Sequence, residues 1–279
     1  MTTSDGLDAP SAGRDESRTD FRIRAFNYAT DSTNRIHSDE GARRYGFRGG
    51  LVPGIADYAY MTRPVLGRLG CPWMESGWME AKLLKPVYDG DEVRVTIAGD
   101  EELRLELRDP AGVLCAVGSA GLTVVEEAPR AADYPVASPP PAESRPPASL
   151  DTLVAGKTLG ALDVSCDAQS RRDWIERWGE AGRIPDELTV HPAVYPDLGN
   201  RILDRNVLLG PWIHTESRAV HFAAPAAGEP IEVRGKVARS FAHKGHDFAV
   251  LDVAFFGRDA RALARLVHTA IVRPRPVEG

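Results

Sequence analysis

The segment spanning residues 26–55, FNYATDSTNRIHSDEGARRYGFRGGLVPGI, carries the side chains best suited to chemistry. Its histidine, His37, titrates near neutral pH and can take up or release a proton. Asn34 stands three residues earlier, and asparagine often closes a turn by bonding its own backbone. Asp31 and Ser32 place a carboxylate and a hydroxyl just ahead of it. A lone histidine usually serves loop structure, so residue types alone leave its role open.

The same segment resembles the hydratase motif of MaoC-like proteins, the (R)-specific enoyl-CoA hydratases and 3-hydroxyacyl dehydratases. That signature reads roughly Gly-Asp-x-Asn-Pro-φ-His, with φ apolar, followed by a glycine-rich turn and a central helix. The matching residues are Asn34, Ile36, His37, Ala42, Gly49, Gly50, Leu51, Val52 and Gly54. With the later strand start at Gly90-Asp91-Glu92-Val93, the likeness covers most of the first half of the chain.

The resemblance implies a reaction in which an aspartate and a histidine share one water, adding it to, or removing it from, an α,β-unsaturated acyl thioester. His37 would act as acid or base, and the backbone N–H of Gly54 would hold the developing enolate oxygen. Such an oxyanion suits the unpaired N–H groups at a helix amino terminus. Asn34 would shape the loop or contact the substrate. The expected partner is an acyl-CoA or an acyl-carrier-protein substrate, with no cofactor and no metal.

The sequence departs from this signature at two positions. The family's aspartate falls five residues before the histidine, where this chain has Ser32, and the nearest carboxylate, Asp31, lies one place further away. Arg35 replaces the proline. Because a displacement of about 1 Å can cost on the order of a hundredfold in rate, the departure bears directly on hydratase activity. The expected catalytic set is His37 with Asp31 and Ser32.

A proline-rich segment divides the chain. Seven prolines lie between residues 129 and 147 with little apolar periodicity, which is typical of an extended linker. The two sides match at a constant offset of 139 residues, which pairs Pro53 with Pro192, Pro72 with Pro211, Trp73 with Trp212 and Pro86 with Pro225. The offset indicates an internal duplication. His37 falls opposite Glu176, so only the first half would carry the catalytic histidine.

Each half predicts one helix followed by antiparallel strands. Helices are expected from Pro53 and Pro192, and Pro64 should kink or end the first. Alternating apolar residues predict strands at 93–97, 103–107, 113–125, 231–238, 248–256 and 262–272. This succession predicts an α+β, tandem (double) hot-dog fold, with two antiparallel sheets that each wrap a central helix.

The predicted organisation is a disordered tail, two hot-dog domains and a linker between them. The expected bounds are 1–20 for the tail, 21–128 for the N-terminal domain, 129–149 for the linker and 150–275 for the C-terminal domain. The two domains would pair as an internal pseudo-dimer, and pairing of two chains stays open.

Composition narrows the class of protein. The chain has 279 residues, 43% of them hydrophobic, and a net charge of −6, which fits a globular protein and offers no basic stripe for nucleic acid. Three widely spaced cysteines without a Cys-x-x-Cys pair fit a reducing compartment. The amino terminus lacks signal-peptide features, and no run of eighteen apolar residues predicts a membrane span. We therefore expect a cytoplasmic protein.

Other polar residues support simpler interpretations. His243 and His246 flank a probable hairpin turn and lack a distant third ligand for a metal. His214 could point between helix and sheet. Arginines near the motif are either surface residues or contacts for the phosphates of CoA or of a carrier arm; they are Arg35, Arg43, Arg44 and Arg48.

Three further functions stay open beside hydration and dehydration. A hot-dog thioesterase would use a carboxylate near the helix start, here Asp57, although an exposed aspartate favoured by the helix dipole is the simpler interpretation. A non-catalytic acyl-binding protein fits the substitution at Ser32. An isomerase or cyclase of a biosynthetic intermediate fits a His37 that lacks its usual partner.

Overall fold

The computed structural model describes residues 19–122, 126–179 and 188–276. Within them, ten strands form one antiparallel sheet. The strands are β1 (Thr19–Arg24), β2 (Trp78–Leu83), β3 (Glu92–Ala98), β4 (Leu103–Arg108), β5 (Leu114–Gly121), β6 (Thr158–Val164), β7 (Ile213–His221), β8 (Ile231–His243), β9 (His246–Phe256) and β10 (Ala262–Arg273). Their order across the sheet is β1-β3-β4-β5-β2-β7-β10-β9-β8-β6.

The two halves of the sheet mirror each other. β2 and β7 pair at the centre, with Met79 opposite Ala219 and Ala81 opposite Ser217. Outward from this seam, each strand of the first half has its counterpart in the second, and β1 and β6 form the two edges. The predicted double hot-dog fold is confirmed, with one correction. The two expected sheets are a single sheet, because pairing at the seam covers the inner edge of each half.

Five α-helices accompany the sheet in the described residues. They are α1 (Asp39–Arg43), α2 (Gly54–Leu69), α3 (Trp73–Ser76), α4 (Ala168–Arg177) and α5 (Val194–Asn206). The long helices α2 and α5 are the central helices predicted near Pro53 and Pro192, and each packs mainly against the strands of its own half. α4 has no predicted counterpart, so the halves are not identical copies.

Helix α2 runs through Pro64, contrary to the expected break. Every residue from 55 to 62 is buried, so the sheet surrounds the helix on nearly all sides. Packing on this scale outweighs the loss of one backbone hydrogen bond at a proline. The helix ends instead at Gly70, whose φ of 68° lies in the left-handed region that glycine adopts readily.

The proline-rich segment is anchored to the second half. Tyr134 is buried, and its hydroxyl donates a hydrogen bond of 2.8 Å to a carboxylate oxygen of Asp252 on β9. Further along, the N–H of Leu208 donates to the carbonyl of Pro146 at 2.8 Å. The linker therefore lies along the C-terminal sheet.

Two predicted limits differ from the structure. Residues 19 and 20, expected in the tail, begin β1, whereas residues 1–18 lie outside the described residues. The strand predicted to reach residue 125 ends as β5 at Gly121, and residues 123–125 also lie outside the described part. Among the helices that the structure describes, none is long and apolar enough to cross a membrane.

Candidate functional site

A cavity of about 290 Å³ opens at the amino-terminal end of α2, where the two halves meet. The first half contributes the loop around His37, the first turn of α2 and the end of β2, and the second half contributes α5 and β7. Apolar side chains such as Leu51, Val52 and Leu83 form much of the wall. The polar side chains in the lining include Asn34, His37, Asp57, Asn200, His214 and His246.

His37 ends a short 3-10 turn, Arg35–His37, that faces this cavity. Its Nδ1 lies 2.8 Å from the carbonyl oxygen of Leu51. A carbonyl only accepts, so Nδ1 carries the proton and donates to Leu51. In the neutral ring Nε2 then holds the lone pair. Burial lowers the pKa of His37, an effect that the Leu51 carbonyl partly opposes, so the imidazole is a neutral base at pH 7.

Asn34 connects the loop of His37 to the second half of the molecule, across the seam. Its Oδ1 accepts hydrogen bonds from the backbone N–H of Trp212 at 3.2 Å and of Ile36 at 3.4 Å. Its Nδ2 donates to the carbonyl of Trp212 at 3.0 Å and lies 3.3 Å from His37 Nε2. Because Oδ1 accepts from two N–H groups, the amide has one orientation, and its NH₂ group faces the lone pair of the imidazole.

Gly54 begins α2 beside two cavity residues. A Cβ at this position would overlap Cδ1 of Leu83 and lie 3.1 Å from Nδ1 of His214. A larger residue would therefore fill the space at the helix start. The first N–H groups of the helix have no carbonyl partner within it and carry a partial positive charge. The arrangement can hold a negatively charged oxygen near Gly54.

Asp57 lies in the first turn of α2, on the same face as Gly54. The interpretation of this residue as an exposed aspartate is wrong: its side chain is buried, with 4% of the residue exposed, and it lines the cavity. Its Oδ1 has no hydrogen-bond partner among the described residues. Burial raises the pKa of Asp57 well above its usual range. The protonated carboxylic acid is thereby favoured.

The structure does not bring Asp31 or Ser32 into the cavity lining. Asp31 is exposed on the turn before Asn34. Ser32 is half-buried, and its hydroxyl donates to the carbonyl of Asn34 at 3.2 Å. This hydrogen bond lies within the turn and holds the Ser32 side chain there. Of the five predicted site residues, the cavity thus unites His37, Asn34 and Gly54.

A chain of buried polar groups extends from the cavity into the second half. Ser217 Oγ lies 2.8 Å from Nε2 of His214 and 2.8 Å from Nδ1 of His268, whose Nε2 lies 2.8 Å from Oδ1 of Asn200. If Asn200 Oδ1 accepts from His268, the serine donates to His268 and accepts from His214, which leaves Nδ1 of His214 as an acceptor. Burial lowers the pKa of His214 to about 4 and lowers that of His268 well below its usual value. Both rings are therefore neutral.

Only part of this chain of groups had a signal in the sequence. His214 was expected between helix and sheet, and it does line the cavity. His268 was missed, although it occupies an inward position in the alternating stretch of β10, where a polar residue stands out. Asn200, on α5, had no local signal, since one asparagine on a helix is ordinary.

The remaining candidates lie at the rim or on the surface. His243 and His246 flank the β8–β9 turn as expected, and His246 also reaches the cavity lining. In the described residues no group of three histidine, cysteine or carboxylate side chains could hold a metal ion. Arg43 and Arg44 form exposed ion pairs with Asp39 and Glu40, one helical turn away.

The fold and this cavity define a double hot-dog protein. A similar solved structure is a protein from Chloroflexus aurantiacus J-10-fl, provisionally assigned as a MaoC domain dehydratase, with 10% identity over 91% of this chain and 93% of that one and a TM-score of 0.63. Another is a conserved hypothetical protein from Mycobacterium tuberculosis with a double hot-dog fold, at 12% identity, coverage of 92% and 96%, and a TM-score of 0.63.

A third similar structure is named for a different activity. It is a provisionally assigned oleoyl thioesterase from Lactobacillus plantarum, with 11% identity, coverage of 95% of this chain and 100% of that one, and a TM-score of 0.53. No family model matches the sequence, and no curated protein matches it significantly. The resemblance to MaoC-like dehydratases is confirmed at the level of the fold, which thioesterases share.

Proposed function

We propose that this protein adds water to, or removes it from, an acyl thioester, with His37 as the base. The observation that carries the proposal is the state of the imidazole. Leu51 binds its Nδ1 proton, burial keeps the ring neutral, and the residue lines a cavity that the start of α2 also lines. A neutral imidazole at a cavity wall is suited to general base catalysis near neutral pH.

In the dehydration direction, His37 Nε2 removes a proton from the carbon next to the thioester carbonyl. Such a proton is only weakly acidic, so the negative charge that develops on the carbonyl oxygen needs donors. The backbone N–H of Gly54 supplies one, in a setting where the helix dipole adds to the attraction. The 3.3 Å contact between Asn34 and Nε2 is long enough to give way to a bound substrate.

The cavity wall supports an acyl group as the bound part. The lining is mostly apolar, and its aliphatic, aromatic and proline side chains would remove an alkyl chain from water. The thioester itself would lie at the polar end, between the His37 loop and α2. CoA or a carrier-protein arm would then extend past the rim, where Lys85 and His246 lie.

Thioester hydrolysis is the second candidate, favoured by Asp57 in the cavity and by the fold shared with a provisionally assigned oleoyl thioesterase. A thioesterase would use this carboxylate in its ionised form to activate water. Burial without a partner opposes that form, since it raises the pKa of Asp57. Dehydration or hydration needs no ionised carboxylate at rest and therefore fits the site better.

The test is turnover of 2-enoyl and 3-hydroxyacyl thioesters, both as CoA esters and on a carrier protein. Mass spectrometry distinguishes gain or loss of water from an unchanged ligand, and a thiol reagent detects hydrolysis. We expect water exchange in the wild type and a loss of at least a hundredfold in His37→Gln. Glutamine can still donate to Leu51 but takes up no proton.

The control is His243→Ala, which removes an exposed imidazole from the β8–β9 turn and should keep full activity. Binding of thioesters without any mass change would instead identify an acyl-binding protein, and free thiol would identify a thioesterase. Equal turnover by His37→Gln and the wild type would contradict the assigned base.

A further inference from the structure

Asp57 and Asp197 lie equally far from the start of the two central helices, although the 139-residue offset pairs Asp57 with Pro196. Each is the fourth residue of its central helix, α2 or α5, and each is buried. Their surroundings differ. Asp197 forms ion pairs with Arg201 at 2.9 Å and with Arg177 at 3.9 Å. Asp57 has no ion pair among the described residues, and its Oδ1 has no hydrogen-bond partner there.

This difference indicates that Asp57 is not present for stability. An unpaired carboxyl costs free energy when it is buried, and the second half compensates for that cost with two arginines. Among the described residues of the first half, no ion pair compensates for that cost, although an apolar residue would fit the helix without it. Groups that weaken a fold in this way are characteristic of functional sites.

The position of Asp57 matches a role in the cavity. It lines the same cavity as His37 and lies one helical turn beyond Gly54, about 4.5 Å along the axis at 1.5 Å per residue. The loop of His37 is tied to the segment just before the helix through Leu51. A substrate held by the N–H of Gly54 would thus have the imidazole of His37 and the carboxyl of Asp57 among its polar neighbours, beside His214.

We propose that Asp57 is the catalytic acid of the dehydration, in the role that Asp31 and Ser32 do not fill. The inference rests on the proposed function. The environments of the two groups agree with it, because burial lowers the pKa of His37 and raises the pKa of Asp57, so the base is unprotonated and the acid protonated. The loop of the first half thus supplies the base, and its central helix supplies the acid.

The proton balance of the step is complete. His37 Nε2 takes the proton from the α-carbon, the C–H electron pair forms the new double bond, and the C–O bond at the β-carbon breaks. Asp57 gives its proton to the departing hydroxyl, which leaves as water. The enoyl thioester forms, with an imidazolium and a carboxylate that return to their resting states by proton exchange through water. Hydration follows the same steps in reverse.

The experiment compares Asp57→Asn with Asp197→Asn, the matched change in the other half. With a 3-hydroxyacyl-CoA, Asp57→Asn should lower kcat at least a hundredfold with little change in KM, whereas Asp197→Asn should keep wild-type turnover. The two variants should rank in the opposite order in thermal stability. Asp57→Asn should unfold at an equal or higher temperature than the wild type, and Asp197→Asn at a lower one, since two arginines lose their partner.

A second substrate separates this inference from the proposed function. A 3-chloroacyl-CoA loses chloride, which needs no proton from an acid. Asp57→Asn should therefore retain chloride elimination within about tenfold of the wild type, whereas His37→Gln should lose elimination of both chloride and water. The pH profile for water elimination should also lose its basic limb in Asp57→Asn.

Two results would overturn the role of Asp57. Water elimination within tenfold of wild type in Asp57→Asn would remove the acid and leave His37 as the base. Loss of chloride elimination in the same variant would show that Asp57 acts in some other way. Full activity of His37→Gln would instead overturn the proposed function itself.

Discussion

His37 and Asn34 work as one unit at the residue scale. The proton on Nδ1 is committed to Leu51, and the Asn34 amide is committed to the backbone of Trp212. Each partner thereby fixes the orientation of the other, and the lone pair of Nε2 has a defined direction. The pKa of the imidazole depends on this arrangement, because a neutral amide leaves burial as the dominant effect.

Asn34→Asp tests that dependence with a change of one group. The carboxylate can still accept from the N–H of Trp212, but it places a negative charge where NH₂ faced Nε2. We expect the pKa of His37 to rise by about one unit or more, because an opposite charge favours the imidazolium. The acidic limb of the activity profile should move to higher pH by the same amount. NMR titration of the ring provides a measurement that does not require turnover, and an unchanged or lower pKa would contradict the assigned contact.

The motif predicted the placement of three residues at this scale but not the burial of Asp57. His37, Asn34 and Gly54 sit where a short local pattern puts them, on a loop and at the helix start that follows it. Burial of Asp57 depends on how much of α2 the sheet covers. The helix is buried on nearly every side, and no periodicity in the sequence predicts this burial.

Helix α2 couples the cavity to the fold at the scale of elements. Its first turn carries the proposed oxyanion donor and the proposed acid, while the rest of the helix packs into the core. Gly54 contributes to both, because Leu83 and His214 occupy the space that a Cβ at this position would need. Space at this position decides how much of the cavity is available.

Gly54→Ala should therefore affect binding more than folding. The new methyl group would push Leu83 into the cavity, and Leu83 can move because its end is flexible. We expect KM for an acyl thioester to rise severalfold, with the melting temperature within a few degrees of wild type. Gly67→Ala, on an exposed position of α2 with nothing within 4 Å, is the matched control and should stabilise by about 1 kcal/mol without any change in KM. Equal KM values in the two variants would argue against a cavity at the helix start.

Local apolar alternation predicted β3, β4, β5, β8, β9 and β10, but it missed the strands at the centre of the sheet. β2 reads Trp-Met-Glu-Ala-Lys-Leu, which contains several good helix formers, and it escaped prediction although it lies at the centre of the sheet. Pairing on both sides, with β5 and β7, decides its conformation. The 139-residue offset succeeded because it compares whole halves and does not depend on the propensity of any one segment.

The whole molecule buries four histidines in a neutral state: His191, His214, His221 and His268. Burial lowers the pKa of His191 to about 3, of His214 and His221 to about 4, and of His268 well below its usual value. In the unfolded chain each ring takes up a proton near pH 6.5. The unfolded state thus binds more protons below that pH, and stability falls as pH falls.

Acid should accordingly unfold this protein from pH 6.5 downward. Each histidine contributes up to about 1.4 kcal/mol per pH unit between 6.5 and its folded pKa. Asp57 and Asp197 act in the opposite direction, because burial raises their pKa and the folded state gains protons as pH falls above about 3.8. The four histidines outweigh these two carboxyls. Urea unfolding at pH 7, 6 and 5 should show a steady loss of unfolding free energy, and a constant value would contradict the buried neutral rings.

Asn34 recognises Trp212 only through its main-chain N–H and carbonyl groups. Any residue other than proline could stand at position 212 and offer the same two groups. These two hydrogen bonds therefore place no demand on the side chain at position 212, whereas the packing of Trp212 against the core and its place in the cavity lining do. The two halves of the cavity can thus stay joined at this point even if the side chain at position 212 changes.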